Sequence, residues 1–390
     1  MLDRIATSDF RAGAAFELIE LDRLGADQRA ALGLAEEDPD LYGVLLPRAP
    51  GPGRHAKAID RDTALLYLTL RDPGRLPRYV HTLLGADLRT TVTRLVLDGV
   101  LEIDAGGQFV CGPDALALFE QSTGTRQEGG RIAALSIAAL RYAERLELRD
   151  TTVLAGRLYS FNRLPLTPAW RRRLPTREAL AEQLGLAAGT PLANAIGRRW
   201  TATGGSERES PWLSWGAPPA RFAGDATFKL YVSPHPDVLA DVLPDVVEVL
   251  GEARAAAFKV GADVAGVLRP DKLVAYFDRF ERLAAAGERL RERLHGVAAH
   301  GVPFTAEIDP DGLLSWGTDP PAHAQTHGLE GQESWRLWLC MRLAAALLHG
   351  ADGAAAEPWA YALERIRLEG VDPATWAPSQ AIWRAAGAGA

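Results

Sequence analysis

The sequence predicts an α+β protein: an N-terminal winged-helix-like domain followed by a C-terminal mixed α/β-sheet domain. Three observations carry this. Residues 56–115 run helix, turn, helix, hairpin. Residues 227–278 hold three strand-like stretches and one amphipathic segment. Between these regions, residues 202–210 are polar and glycine-rich, which suits a mobile loop or a domain boundary. The 390 residues accordingly divide into a peptide-recognition-like part at 1–125, a helical and extended connector at 126–210, and a sheet domain at 211–390.

In order along the chain, residues 41–46 read as a strand and 47–53 as a proline- and glycine-bearing loop. Residues 62–70 form an apolar element and 76–84 a short helix. Gly85, Ala86 and Asp87 then turn the chain, with Asp87 placed to cap the helix 88–98. Leu88, Val92, Leu95 and Val96 give that helix its inner face. Residues 100–103 and 108–110 are strands joined by Asp104-Ala105-Gly106-Gly107, a hairpin signal. DNA binding by this arrangement is disfavoured, because the second helix offers only Arg89 and Arg94 and Asp87 and Asp98 offset them. Two other uses stay open. A peptide can add as a strand beside Gln108, Phe109 and Val110 with Arg89 nearby, or the domain is a scaffold without a ligand.

Residues 129–148 form a largely apolar helix, and residues 151–161 look extended. Residues 165–175 are a basic loop carrying Arg171, Arg172 and Arg173. Thr176 caps a helix that Gly185 ends, and 191–200 is a further short helix. Leu213-Ser214-Trp215-Gly216 recurs as Leu314-Ser315-Trp316-Gly317. Either the two segments rim one groove, or each indole plugs the core, and the second is the commoner outcome. Residues 236–252 and 278–294 are amphipathic helices. Residues 302–308 read as a strand, 334–348 as a core helix, and the tail holds one more helix.

Composition narrows the function. Apolar residues at 47% and charged residues at 24% describe a globular chain, and a formal charge of -7 argues against a general nucleic-acid binder. Two cysteines far apart, Cys111 and Cys340, fit a reducing cytoplasm. No stretch reads as a signal peptide or a membrane span. Phosphate-loop, dinucleotide and nucleophile-elbow motifs are missing, so no cofactor is expected. His323 and His327 stand four apart, but Pro320, Pro321 and Gly328 bracket them, so no metal site is expected either.

The stretch that organises the rest is 227–278. Lys229, Tyr231 and Ser233 share a strand face by period two. Lys259 lies on the next strand, and Arg269 and Lys272 lead into a third. Four cations near one another in an acidic chain point to an anion site. Against that, lysines also guard edge strands, and Asp263 and Asp271 are placed to pair with them. His300, beside Gly301, is a candidate acid.

The series Lys229-x-Tyr231-x-Ser233, Phe258-Lys259, Arg269 and Lys272-Leu-Val-Ala-Tyr276 resembles the phosphothreonine lyases, and more closely the effector-like domains of class V lanthipeptide pathways. The resemblance spans 50 to 80 residues. It implies β-elimination of phosphate from a phosphorylated Ser or Thr of a ribosomally made peptide. By position, Lys259 would take the α-proton, with Tyr231 and His300 as candidate acids. Lys229, Ser233, Arg269 and Lys272 would hold the phosphate. The N-terminal segment resembles a leader-recognition element, which implies a precursor peptide and other modifying enzymes, such as a kinase, as partners. A homodimer stays open. The pattern departs at Tyr231, where the family carries a histidine. That leaves a Tyr231- or His300-assisted lyase, a non-catalytic domain that presents the precursor to other enzymes, or a winged-helix regulator with a ligand-sensing domain.

Overall fold

The computed structural model describes residues 4–32, 34, 39–49, 55–119, 129–203, 210–218, 228–321, 333–351, 353, 357–379 and 382. It is a mixed α+β chain of two units. Unit 1 comprises Met1–Arg126, Glu144–Leu154 and Arg342–Glu369. Unit 2 comprises Gln127–Ala143, Ala155–Met341 and Gly370–Ala390. Among the described residues no helix is long and apolar enough to cross a membrane. His323, His327, most of 202–210 and the Ala-Gly tail lie outside the described residues.

Unit 1 carries strands β1 (Phe10–Ala12), β2 (Phe16–Glu20), β3 (Leu41–Pro47), β4 (Lys57–Asp60), β5 (Leu101–Asp104) and β6 (Phe109–Val110). They form two antiparallel sheets, β2-β3-β4 and β1-β5-β6. Helices Arg78–Leu84 and Leu88–Leu97 precede β5 and β6. In the second helix Val92, Thr93, Val96 and Leu97 are buried, so three- and four-residue spacing sets its inner face. Ile103 pairs with Val110 and Asp104 with Phe109, and Gly106 and Gly107 supply the positive φ that the tight reversal needs. Asp87 does not cap the second helix. It sits in a 3₁₀ turn, Gly85–Asp87, with right-handed helical angles and no side-chain bond to the helix N-terminus. Gly85 leaves helical geometry with a φ of 47°, but Asp87 keeps it, so Asp87 is not the extended residue that a cap needs.

Unit 2 is built on a seven-stranded antiparallel sheet of β7 (Thr201–Ala202), β8 (Trp212–Gly216), β9 (Phe228–Val232), β10 (Ala257–Gly261), β11 (Leu273–Phe277), β12 (Ala306–Glu307) and β13 (Leu314–Thr318). Its order is β12-β13-β9-β11-β10-β8-β7. Period two divides the sheet into unlike faces. Leu230, Val232, Phe258, Val260, Leu273, Ala275, Phe277 and Leu314 form the apolar face. They pack with the helices Leu239–Glu252 and Phe280–Arg293 in one buried core. Each large side chain buried there contributes about 1.5–3 kcal/mol. The other face carries Lys229, Tyr231, Lys259, Val274, Tyr276, Ser214 and Ser315, by the register of β13, β9, β11, β10 and β8.

The same alternation settles the two Leu-Ser-Trp segments. Adjacent residues on a strand point to opposite faces, so neither segment can offer its serine and its indole to one groove. Trp215 stacks on Phe258 at 4.9 Å and Trp316 packs on Phe280 at 4.7 Å, both with the apolar core.

Three segments differ from expectation. The stretch read as extended from Thr151 is the helix Thr151–Tyr159, capped by Asp150, whose Oδ1 accepts from Val153 N at 2.7 Å. Leu154, Ala155 and Leu158 bury its inner side, and that packing outweighs the β-branched start. The basic loop contains the helix Pro168–Arg173, with Thr167 as cap and proline in its first turn. Of the strand expected at 302–308, only Ala306–Glu307 pairs, because Phe304 takes a φ of 63° and interrupts extended geometry.

Candidate active site

The polar face of the sheet in unit 2 gathers cations around aromatic rings. Lys229 and Tyr276 are cross-strand partners, and Lys259 lies two residues along β10 from Ala257, which continues the row they define. Both ammonium groups flank the Tyr276 ring, Lys229 Nζ at 5.2 Å and Lys259 Nζ at 5.5 Å from its centroid. Lys259 Nζ also sits 4.4 Å from the Trp212 ring, whose centroid is 4.9 Å from Arg269 Cζ. Tyr159 continues the series, 5.7 Å from Arg269 Cζ and 4.5 Å from Arg336 Cζ. Each cation meets the electron-rich face of a ring, which holds it in place without adding negative charge.

Two buried carboxylates anchor the ends. Asp319 pairs with Lys229 Nζ at 2.6 Å and accepts from the backbone N–H of Trp335 at 2.9 Å. Asp271 accepts two bonds from Arg269, both at 2.8 Å, and one from Arg336 Nη1 at 2.9 Å. Arg336 is fully buried and also donates to the carbonyls of Pro303 and Tyr159. Among the described residues four cations therefore face two carboxylates, an excess of two positive charges with Lys259 protonated and of one with it neutral, which suits an anion such as a phosphate monoester.

The electrostatics separate Lys259 from its neighbours. Burial, then repulsion from Lys229, lowers its ammonium to about 8. Among the described residues no carboxylate touches it. About a tenth is neutral at pH 7, a usable fraction of a base. Asp271 is held well below the usual carboxylate range by Arg336 and Arg269, although its burial opposes this. Arg269 is pushed above its ordinary value by Asp271 against the cost of burial. Tyr276 is raised by burial and by Asp319, so its ring faces the lysines uncharged.

Not every expected site residue joins this cluster. Ser233 is completely buried, its Oγ donating to Pro270 O at 2.6 Å and accepting from Gly301 N at 3.1 Å, so it fastens loops and does not face a phosphate. Lys272 is fully buried too. Its Nζ donates to Pro234 O at 2.9 Å and to His300 Nδ1 at 2.8 Å, and burial lowers it to about 7. His300 donates through Nε2 to Asn162 O at 2.6 Å, and burial and Lys272 lower it to about 3. With both ring nitrogens occupied and no charge to give up, His300 is not an acid for this cluster. Tyr231 does lie on the polar face, packed with Val274 and Val302. Burial and then Asp319 raise its phenol well above the ordinary value, so it stays protonated. Asp263 caps the turn Val264–Val267 and does not pair with a lysine. Trp212, Tyr159, Asp319 and Arg336 were not legible as site residues, because they come from segments with no spacing relation to 227–278.

In unit 1, Phe109 and Val110 form β6, an edge of its sheet, and Arg11 lies 4.6 Å over the Phe109 ring. Gln108 and Arg89 are exposed, Gln108 in the turn before β6 and Arg89 on the helix Leu88–Leu97.

No protein-family model matches the chain, and no curated protein matches it. Among solved structures, it is similar to an effector protein from Pseudomonas syringae pathovar syringae, at 12% identity and a TM-score of 0.40, covering 65% of this chain and 99% of that one. An effector protein from Pseudomonas syringae pathovar tomato is similar at 14% identity and a TM-score of 0.38, covering 63% and 98%. A type III effector and phosphothreonine lyase from Shigella flexneri is similar at 13% identity and a TM-score of 0.26, covering 36% of this chain and 89% of that one.

Proposed function

We propose that this chain is a lyase-like protein that eliminates phosphate from phosphorylated Ser or Thr in a ribosomally made precursor peptide. The observation that carries the reading is Lys259, an ammonium lowered to about 8, lying on one sheet face with Lys229 and beside Arg269. Its neutral Nζ would take the substrate's α-proton. The released electron pair forms the Cα=Cβ bond, the Cβ–O bond breaks, and phosphate leaves with its electron pair. Lys229 and Arg269, gathered at the rings beside Lys259, would neutralise that phosphate as its charge grows. A dianion bound there would also raise Lys259, so the base works only when its proton can pass to solvent or to the leaving group.

Unit 1 supports the peptide part. Its helix, helix, hairpin order fits a winged-helix leader-recognition element, and the β6 edge around Gln108–Val110 offers backbone groups for strand addition. The substrate chemistry calls for a kinase acting earlier on the same peptide, in a cytoplasmic lanthipeptide-type pathway. A second reading, a precursor-binding protein without chemistry, is favoured by Tyr231: its phenol is too weak an acid to replace a histidine. The test is incubation with a phosphorylated precursor and mass spectrometry. Loss of phosphoric acid, absent in Lys259→Ala, supports the lyase. Binding without mass loss supports the second reading.

A further inference from the structure

A second cationic site lies wholly within unit 1, apart from the sheet of unit 2. It is a cavity of about 460 Å³. His55 and Lys57 reach it from the start of β4, Asp98 from the end of the helix Leu88–Leu97, and Arg149 from just before Thr151. Arg342 and His349 come from the helix Trp335–Gly350, and Arg365 and Glu369 from the region of the helix Pro358–Leu368. Among the described residues four cations thus line a space that holds two carboxylates, and both carboxylates already face arginines. Asp98 meets Arg365 at 2.7 Å and Glu369 meets Arg342 at 4.0 Å.

Two further observations point to an anion. Arg365 is mostly buried, and its Nη1 meets no hydrogen-bond partner among the described residues. A guanidinium donor left so is costly until an acceptor arrives. The cations also strain against one another. Burial and neighbouring positive charge lower His55, and they lower His349 to about 4. Burial lowers Lys57. His349 serves as wall, its Nδ1 against the Tyr361 hydroxyl at 3.1 Å, while that hydroxyl donates to Leu97 O at 2.8 Å. The rest of the lining is Thr151 and the apolar Ala345, Ala346, Leu348 and Ile366. The volume suits a small organic molecule rather than a bare ion.

We propose that this cavity binds a small phosphate-bearing molecule, with the phosphate against Lys57, Arg149 and Arg365 and the organic body against Ala345, Ala346, Leu348 and Ile366. Guanidinium groups match the oxygens of a phosphate in forked pairs, and an ammonium adds charge without geometry. The site needs nothing from the proposed lyase chemistry.

The test is calorimetric titration of the full chain with inorganic phosphate, with adenosine monophosphate and with chloride at matched ionic strength. Arg149→Gln, on an exposed side chain, and Lys57→Gln are each expected to weaken phosphate binding at least tenfold at one site. Lys259→Ala is expected to leave that site unchanged. Tighter binding of the nucleotide supports an organic ligand, and equal binding of both supports the phosphate site with free phosphate as its occupant. If Lys57→Gln unfolds, Arg149→Gln decides alone. Titrations that Arg149→Gln leaves unchanged, or phosphate binding no tighter than chloride, would overturn the proposal.

Discussion

Two lysine clusters lie close together in the sequence of unit 2, and they are chemically opposite. Lys259, Lys229 and Arg269 meet aromatic rings and have a surplus of positive charge. Lys272, His300 and Ser233 are sealed: the ammonium, both imidazole nitrogens and the hydroxyl are occupied by groups of the chain itself. Arg269 and Lys272 are only three residues apart, and Tyr231 and Ser233 only two, yet each pair divides between the clusters. Cations that converge make a ligand site only where their bonding capacity stays open. Where the chain fills that capacity, they are a joint between loops.

The sharpest way to break this comparison is Lys259→Ala. Its turnover is expected to fall by about a thousandfold or more, as loss of a general base does, with precursor affinity unchanged. In the intact protein kcat/KM, which reports the free protein, should rise with pH through about 8 and level off above, because the neutral amine is the active form. A flat profile between pH 6 and 9 would remove Lys259 from the chemistry.

The sealed cluster should instead be visible in stability. His300 has a folded value of about 3, below its ordinary 6.5, so the unfolded chain binds the proton first. The stabilisation it gives is complete above about pH 6.5 and is lost as pH falls toward 3. That loss is on the order of a few kcal/mol. His300→Gln is expected to flatten the dependence of chemical denaturation on pH in that window. An unchanged slope would show that the imidazole is charged in the folded protein.

Ser233→Ala removes a donor from Pro270 O and an acceptor from Gly301 N. The cost should be about 1–3 kcal/mol of stability. Kinetic constants in the folded variant should stay within error. A raised Michaelis constant for phosphorylated substrate, with none for unphosphorylated peptide, would return Ser233 to the phosphate site. Lys229→Ala is expected to raise that constant by only about tenfold, because Asp319 already shares its charge, and to move the pH profile upward, because Lys259 loses its repelling neighbour.

Much of the sheet domain was legible because local rules decide it. Period two in Phe228–Val232 set the face of Lys229 and Tyr231, and the apolar spacing of Leu239–Glu252 marked the covering helix. The rest of the site depends on distant chain. Arg336 lies in a tryptophan- and leucine-rich helix and reads as core until Asp271 is seen beside it. Tyr159 was hidden by a segment whose threonines and valine suggest a strand, although Asp150 supplied a cap signal. Ser233 and His300 were placed correctly in the chain but not in chemistry, since no sequence pattern reveals that a polar atom is already taken.

The strand order has a consequence for how the protein reaches this state. β10 and β11 are joined by a short stretch and pair directly, so they can close with little loss of chain freedom. β9 must wait for β11 on one side and for β13, much further along the chain, on the other. Such remote pairings form late and slowly. Lys259 therefore takes its seat in a fast local hairpin, whereas Lys229 and Asp319 come together only as the last strands zip up. During refolding, an ammonium at position 259 would exist for a time without its full burial and its repelling neighbour, and would give up its proton more readily only when folding is complete.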